Sequence, residues 1–230
     1  MGWCYFWVNL GRDYLLIAMF NVTDLNKSFY ANNSEQVVLS SISLAIKAQS
    51  FTAISGPSGS GKSTLLSILS GLEKADSGDI FYRNIKLSAL DQSQLATLRN
   101  QEFGFIFQSP FFIPYKNLIE NIMLPISYSD SQPSNIKEVT EWAYELADLV
   151  GLSQHLSKNP SLLSGGEQQR MAFARALILN PNVIFADEPT ASLDHKNAET
   201  LLTLLTKQVA KGKTVILVSH DKQAIAYADN

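Results

Sequence analysis

Apolar positions along the chain change period several times. Phe20 to Leu25 and Gln36 to Ile46 read as strands, with Leu44 and Ile46 alternating against Ala45, and they flank the polar turn Ala31-Asn32-Asn33-Ser34. This predicts an antiparallel pair at the edge of the fold. Ser50 to Ile54 is a short apolar run that ends at a glycine-rich loop, after which Leu65, Leu66 and Leu69 give Lys62 to Ser70 a helical spacing. From about residue 101 to 164 the pattern becomes helical, notably over Val139 to Val150, and is broken by Pro110, Pro114, Pro125, Pro133 and Pro160. An inserted helical lobe is expected there. Alternation then resumes with a helix at Gly166 to Leu179, a strand at Val183 to Ala186, a helix near Ala198 to Ala210 and a strand at Thr214 to Val218. The unbroken apolar run Val183-Ile184-Phe185-Ala186 implies burial on both faces, and hence a mostly parallel sheet covered by helices in an α/β fold.

Length and composition narrow this only a little. The 230 residues suffice for one large domain carrying a smaller lobe. Eighteen Lys and Arg against 21 Asp and Glu leave a formal net charge of -3, so no global field attracts a phosphate backbone and no nucleic-acid partner is expected. The single cysteine, Cys4, excludes an internal disulfide and the multi-cysteine zinc patterns. The aromatic stretch from Met1 to Phe20 is interrupted by Asn9, Arg12 and Asp13, too often for a span of roughly 18 to 20 residues. It has no basic residue before its first apolar run, as a signal peptide would, and Phe6 stands where myristoylation needs Ser or Thr. Residues 1–18 are read as a leader preceding a domain that starts at Met19, with an interfacial anchor or a loosely packed extension as the alternatives.

The candidate chemistry lies at the ends of the predicted strands. Gly56-Pro57-Ser58-Gly59-Ser60-Gly61-Lys62-Ser63 matches G-x-x-x-x-G-K-S, in which glycines let successive backbone N–H groups curl around phosphates at a helix start. Lys62 is placed to reach the β and γ phosphates and the Ser63 hydroxyl to reach Mg²⁺. Asp187 and Glu188 close the apolar strand, where ligands gather in open α/β sheets. Asp187 can hold Mg²⁺ and Glu188 can polarise an attacking water. Leu163-Ser164-Gly165-Gly166-Glu167-Gln168-Gln169-Arg170 opens a helix, with Ser164 placed as N-cap and Glu167 three residues on. Capping leaves the two glycines unexplained. They bare backbone donors at a second positive helix end, and one domain does not need two phosphate cradles for one nucleotide, so the second is expected to serve a partner subunit.

In this order the motifs carry a resemblance. From Met19 onward the chain resembles an ABC-type ATPase: GPSGSGKST at Gly56 to Thr64, Gln108 after an apolar strand, LSGGEQQR at Leu163 to Arg170, VIFADEP at Val183 to Pro189, SLD at Ser192 to Asp194 and VSHD at Val218 to Asp221. The resemblance implies a P-loop NTPase fold with an N-terminal antiparallel β subdomain, a mostly parallel core sheet and an inserted helical lobe, binding ATP and Mg²⁺. It implies a homodimer in the ATP-bound state, in which Ser164, Gly165 and Gly166 of one subunit meet the phosphate bound at Lys62 of the other. It further implies that Gln108 senses the γ-phosphate and the metal, that Asp194 communicates across the dimer and that His220 contacts the γ-phosphate near Glu188. An aromatic ring before the second strand stacks on adenine in this family. Phe29 is preferred, with Tyr30 the alternative.

Around Gln108, the stretch Phe103 to Ile126, and its ENIMLP element above all, resembles the branch of exporters that handle lipoproteins, macrolides and antimicrobial peptides. In that branch the transmembrane permease is a separate chain or domain. A groove near Gln108 to Tyr115 is expected to receive it, because Phe111-Phe112-Ile113-Pro114-Tyr115 is apolar. The expected location is peripheral, on the cytoplasmic side of the membrane. A soluble ABC ATPase with a non-transport target and a silent nucleotide-binding scaffold are the competing classes. The family generally adds a last strand or hairpin after the region of His220, and this chain ends at Asn230.

Overall fold

Two sheets, one antiparallel and one parallel, carry the helices of this computed structural model, which describes residues 18–31, 34–129 and 136–229. The leader expected at 1–18, apart from Ala18 itself, lies outside the described residues, as do Asn32 and Asn33 of the predicted turn and Pro133. Strand β1 (Ala18–Ala31) pairs antiparallel with β2 (Ser34–Lys47), from Ala18 opposite Lys47 to Ala31 opposite Ser34. Both strands outrun their apolar patterns. Beyond Leu25 the ladder continues through Lys27 and Ser28, because backbone pairing does not require apolar side chains, and the buried Lys27 is met by Glu73 and Asp76 at 2.7 and 3.3 Å. Strands β4 (Ser77–Tyr82) and β5 (Ile85–Lys86) complete this sheet in the order β2-β1-β4-β5.

The second sheet is parallel, in the order β3-β8-β7-β6, formed by β3 (Phe51–Ile54), β6 (Phe103–Phe107), β7 (Val183–Asp187) and β8 (Thr214–Val218). Burial on both faces follows the alternation along its strands. Ile184, Ala186, Val215 and Leu217 join the core beneath the helical segment, while Val183, Phe185, Ile216 and Val218 join the core beneath the antiparallel sheet and helix α1 (Lys62–Leu69). Each such Val, Leu, Ile or Phe side chain contributes about 1.5–3 kcal/mol by leaving water. Phe20, Tyr82, Phe103 and Phe185 form one aromatic cluster with centroids 5.0 to 6.1 Å apart, which pins the two sheets together.

Helix α2 (Gln92–Glu102) leads directly into β6, so the stretch expected as a helical lobe opens with a strand of the core sheet. The run Phe103-Gly104-Phe105-Ile106-Phe107 is short and apolar, and its parallel pairing with β7 seats it at the edge of the core sheet. Helical structure follows it, in α3 (Leu118–Ile122) and α4 (Ile136–Leu149), whose Ala143, Leu146 and Ala147 are buried toward α5 (Gly165–Leu177). Helices α6 (His195–Ala210) and α7 (Lys222–Ile225) complete the chain.

The register of the parallel sheet is what builds the site. Ile54 pairs with Val218, Val218 with Asp187 and Asp187 with Phe107, so the four strands finish level. The residues that follow them are the glycine-rich loop, Ser219-His220, Glu188 and Gln108, and all leave the sheet along one edge.

Candidate active site

Between β3 and α1 the loop turns tightly, closed by Ser60 N donating to Pro57 O at 3.3 Å. Gly61 caps α1 at a φ of 88°, and a Cβ there would stand 2.9 Å from both Val38 O and the Leu39 side chain. Only glycine fits where the loop passes β2. Lys62 folds back over the loop, its Nζ donating to Gly56 O and Pro57 O at 2.9 Å each. Two neutral carbonyls are weak partners for an ammonium, so a phosphate at the loop mouth is electrostatically the better one. The first turn of α1 carries no acidic side chain, which leaves its positive end uncompensated. Ser58 and Gly59 are exposed at the rim and Thr64 is partly buried on α1.

Ser63 Oγ donates to Asp187 Oδ1 at 2.9 Å, joining α1 to the end of β7. Burial pushes the Asp187 carboxyl above the usual carboxylate range, the Ser63 hydroxyl draws it back, and neighbouring Glu188 pushes it up again. A cation at this point relieves that cost. Ser63 and Asp187 offer two hard oxygens, and among the described residues no group of three or more His, Cys, Asp and Glu could hold a metal by itself. Such a pair suits Mg²⁺, which keeps several waters and is bound together with substrate phosphates.

Glu188 adopts a φ of 45°, rare for a residue with a long side chain, and is held by its N–H donating to Val218 O at 2.9 Å. The bend turns the carboxylate toward β8. There its Oε1 lies 2.7 Å from His220 Nδ1 and its Oε2 accepts from Ser219 Oγ at 3.4 Å. The Glu188 side chain is 14% exposed and that of His220 60%, so a nearly buried carboxylate is reached from solvent past an open imidazole. Gln108 follows β6 on the same edge, with its side chain exposed.

The second predicted motif forms its own cluster. Ser164 caps α5 in a reciprocal box with Glu167, whose Oε2 accepts from Ser164 N at 2.7 Å and from Ser164 Oγ at 2.8 Å. The same hydrogen bonds hold the Glu167 carboxyl below its usual range, with nearby His155 and Arg170 adding to them. A Cβ on Gly166 would lie 2.6 Å from the Asn197 side chain, while one on Gly165 would meet nothing within 4 Å. Asn197 is fixed on three sides: its N and Nδ2 donate to the two oxygens of Asp194, at 2.9 and 2.7 Å, and its Oδ1 accepts from Arg170 at 2.6 Å. Asp194, expected as a messenger across a dimer, is therefore the N-cap of α6 and shares Asn197 with the signature helix.

Three participants escaped the sequence reading: Asn197, Ser219 and Gln169. Gln169 stands inside the quoted LSGGEQQR motif, but its partners are 61 and 62 residues away, out of reach of any local pattern. For the adenine position, Phe29 is 40% exposed with Lys27 Nζ 4.9 Å above its ring, and Tyr30 is 79% exposed. In the groove region Phe111 and Tyr115 are exposed. Phe112 packs toward the core beneath Arg175, whose guanidinium lies 4.8 Å from the ring and donates to Phe111 O at 2.6 Å. Beside Arg175 a cavity of about 460 Å³ is lined by Leu72, Asn100, Phe105, Phe107, Tyr128 and Leu179, and none of residues 108–115, where the groove is expected, lines it.

The family described as ABC transporter matches residues 39–191, from β2 through the phosphate loop and the signature helix to Glu188. The chain belongs to that family. It is an ATP-binding cassette that hydrolyses ATP on a P-loop NTPase fold. It is 38% identical to the ABC transporter ATP-binding protein YvrO of Bacillus subtilis (strain 168), over 92% of this chain and 91% of that one. To the lipoprotein-releasing system ATP-binding protein LolD of Buchnera aphidicola subsp. Schizaphis graminum it is 42% identical, over 89% of each. The macrolide export ATP-binding/permease protein MacB of Pasteurella multocida is 41% identical across 86% of this chain, which spans 30% of that longer protein. Among solved structures, the dimeric structure of MJ0796, a bacterial ABC transporter cassette, superposes with a TM-score of 0.86 at 36% identity, covering 92% of both chains. The same protein has been solved as a dimer in a post-hydrolysis state bound to ADP and Pi, with the same score and coverage. Among the described residues no helix of this cassette is long and apolar enough to cross a membrane.

Proposed function

We propose that two copies of this chain close around two ATP molecules and so power a membrane permease that exports or extracts a lipoprotein, peptide or macrolide-like cargo. In the closed dimer each ATP lies between the Lys62 loop of one copy and Ser164, Gly165 and Gly166 of the other. One observation carries the reading: a single chain holds a phosphate and carboxylate edge, from Lys62 through Asp187 and Glu188 to His220, and also a second glycine-bearing helix entrance, where a Cβ on Gly165 would meet nothing within 4 Å among the described residues. The dimeric MJ0796 structures and the transporter names of LolD and MacB support it, and they disfavour a soluble target or a silent scaffold.

On this edge Lys62 and the loop N–H groups hold the β and γ phosphates, and Phe29 stacks on adenine. Mg²⁺, when bound, supplies charge neutralisation across the phosphate oxygens. Ser63 and Asp187 hold it, with Gln108 reporting on the γ-phosphate side. Glu188 takes a proton from the attacking water, and His220, 2.7 Å from Glu188 Oε1, orients that carboxylate and faces the γ-phosphate. The dimer sits peripherally at the cytoplasmic face, with the groove near Gln108 to Tyr115 receiving the permease. Co-expression with a candidate permease sought in the neighbouring reading frames is expected to give a detergent-stable complex holding two copies of the cassette, whose ATP hydrolysis stops when Mg²⁺ is chelated. A cassette that remains monomeric with ATP and Mg²⁺, and that hydrolyses equally well in a chelator, contradicts the proposal.

A further inference from the structure

Gln169 is 1% exposed on α5, one turn beyond the signature glycines. Its Nε2 donates to Phe107 O at 3.1 Å and to Gln108 O at 2.8 Å, the two consecutive carbonyls at which β6 ends and the loop of Gln108 begins. Because both partners are acceptors, only the amide NH₂ can face them, and the orientation of the group is settled by chemistry. The amide oxygen, buried on the other side, has no hydrogen-bond partner among the described residues. An unpaired buried oxygen is costly, and an apolar side chain of the same shape would avoid that cost but leave both carbonyls without this donor. The amide is therefore a poor choice for packing and a good one for fixing two carbonyls.

We propose that Gln169 is a positioning residue: it sets the backbone of the Gln108 loop from the signature helix, so that the γ-phosphate sensor of one composite site moves with the signature that completes the other. The inference rests on the dimeric reading above. In that dimer Gln108 serves the nucleotide at its own chain's Lys62, whereas Ser164 and Gly166 serve the nucleotide of the other copy. Gln169 is a direct side-chain link between them inside one rigid helix. When Gln108 shifts toward a γ-phosphate, its carbonyl draws on the Gln169 amide and through it on the first turn of α5. This gives each site a physical route by which its nucleotide state is felt at the other.

The test is a double-mutant cycle read in steady-state hydrolysis, with nucleotide affinity measured separately by a fluorescent ATP analogue. Gln169→Met keeps the side-chain length and removes both donors. It is expected to lower kcat about tenfold or more while analogue affinity at the phosphate loop changes less than about twofold. In a Gln108→Ala background the same substitution is expected to change kcat by less than about twofold, because the group it positions is gone. A structural role predicts the contrary result, equal fold-losses in both backgrounds, and that result overturns the proposal. If Gln169→Met does not fold, Gln169→Glu takes its place. Its carboxylate faces two carbonyls at neutral pH, and its rate relative to the parent is expected to recover as falling pH protonates it and restores one donor. A relative rate that is flat with pH overturns the proposal as well. Absence of hydrolysis by the parent protein would instead defeat the dimeric ATPase reading itself, so the two failures are distinct.

Discussion

Glu188→Gln is expected to lower ATP hydrolysis by about 10²–10⁴-fold, the range that a positioned general base contributes, with ATP binding retained. The geometry makes this substitution unusually clean. Glu188 is held by a backbone bond to Val218 O and by the turn that its φ of 45° requires, neither of which an amide disturbs. A glutamine can also still meet His220 and Ser219, since His220 Nδ1 can accept as well as donate. What it cannot do is take the proton of a water. Closure driven by ATP is then no longer undone by hydrolysis, and a dimer that the parent forms only transiently should accumulate. Light scattering after addition of ATP and Mg²⁺ reads this directly, beside a phosphate-release assay. Parent-like turnover in the variant would remove Glu188 from the role of base.

Lys62→Ala acts one step earlier. Among the described residues the ammonium donates to the two carbonyls of its own loop, Gly56 O and Pro57 O, so its removal costs the fold little and thermal unfolding should barely change. Against phosphates it supplies charge-assisted bonds, each about 1.5–3 kcal/mol, so ATP affinity is expected to fall by about one to two orders of magnitude and hydrolysis with it. Titration with a fluorescent ATP analogue measures the first effect. Unchanged affinity would mean that the loop is a structural turn and that phosphate is bound elsewhere.

The parts of this machinery that could be read along the chain are those fixed by local chemistry. Val183 to Ala186 and Thr214 to Val218 announce themselves as strands because burial on both faces demands unbroken apolar side chains. The phosphate loop is legible because only glycine tolerates the path past Val38 and Leu39. Strand β6 was partly hidden, since five apolar residues between helices look the same whether they enter a sheet or a helical lobe, and pairing with β7 decides it. The far ends of β1 and β2 and the short β4-β5 pair were hidden for a different reason: their side chains show no sustained apolar alternation, and the backbone ladder is what makes them strands. Asn197 and Gln169 could not be found by pattern at all. Each acts across the fold, one against Gly166 and Arg170 and the other against Phe107 and Gln108, and such partnerships exist only once the helices have packed. Ser164 shows the converse, because its capping box was visible in sequence, yet it also stands beside the two glycines proposed to meet the other copy's nucleotide.

The central claim is that each catalytic site is assembled from two copies of this chain, and mixing two inactive variants tests it most directly. Lys62→Ala spoils the phosphate loop and leaves the signature intact. Gly165→Asp does the reverse: the open space around Gly165 admits the side chain without a clash inside its own chain, while its carboxylate opposes a phosphate arriving from outside. Each variant alone is expected to be nearly inactive. In a mixed dimer one site joins an intact loop to an intact signature, so an equimolar mixture is expected to recover about a quarter of parental hydrolysis if subunits pair at random. A mixture as inactive as its two components would contradict the composite site.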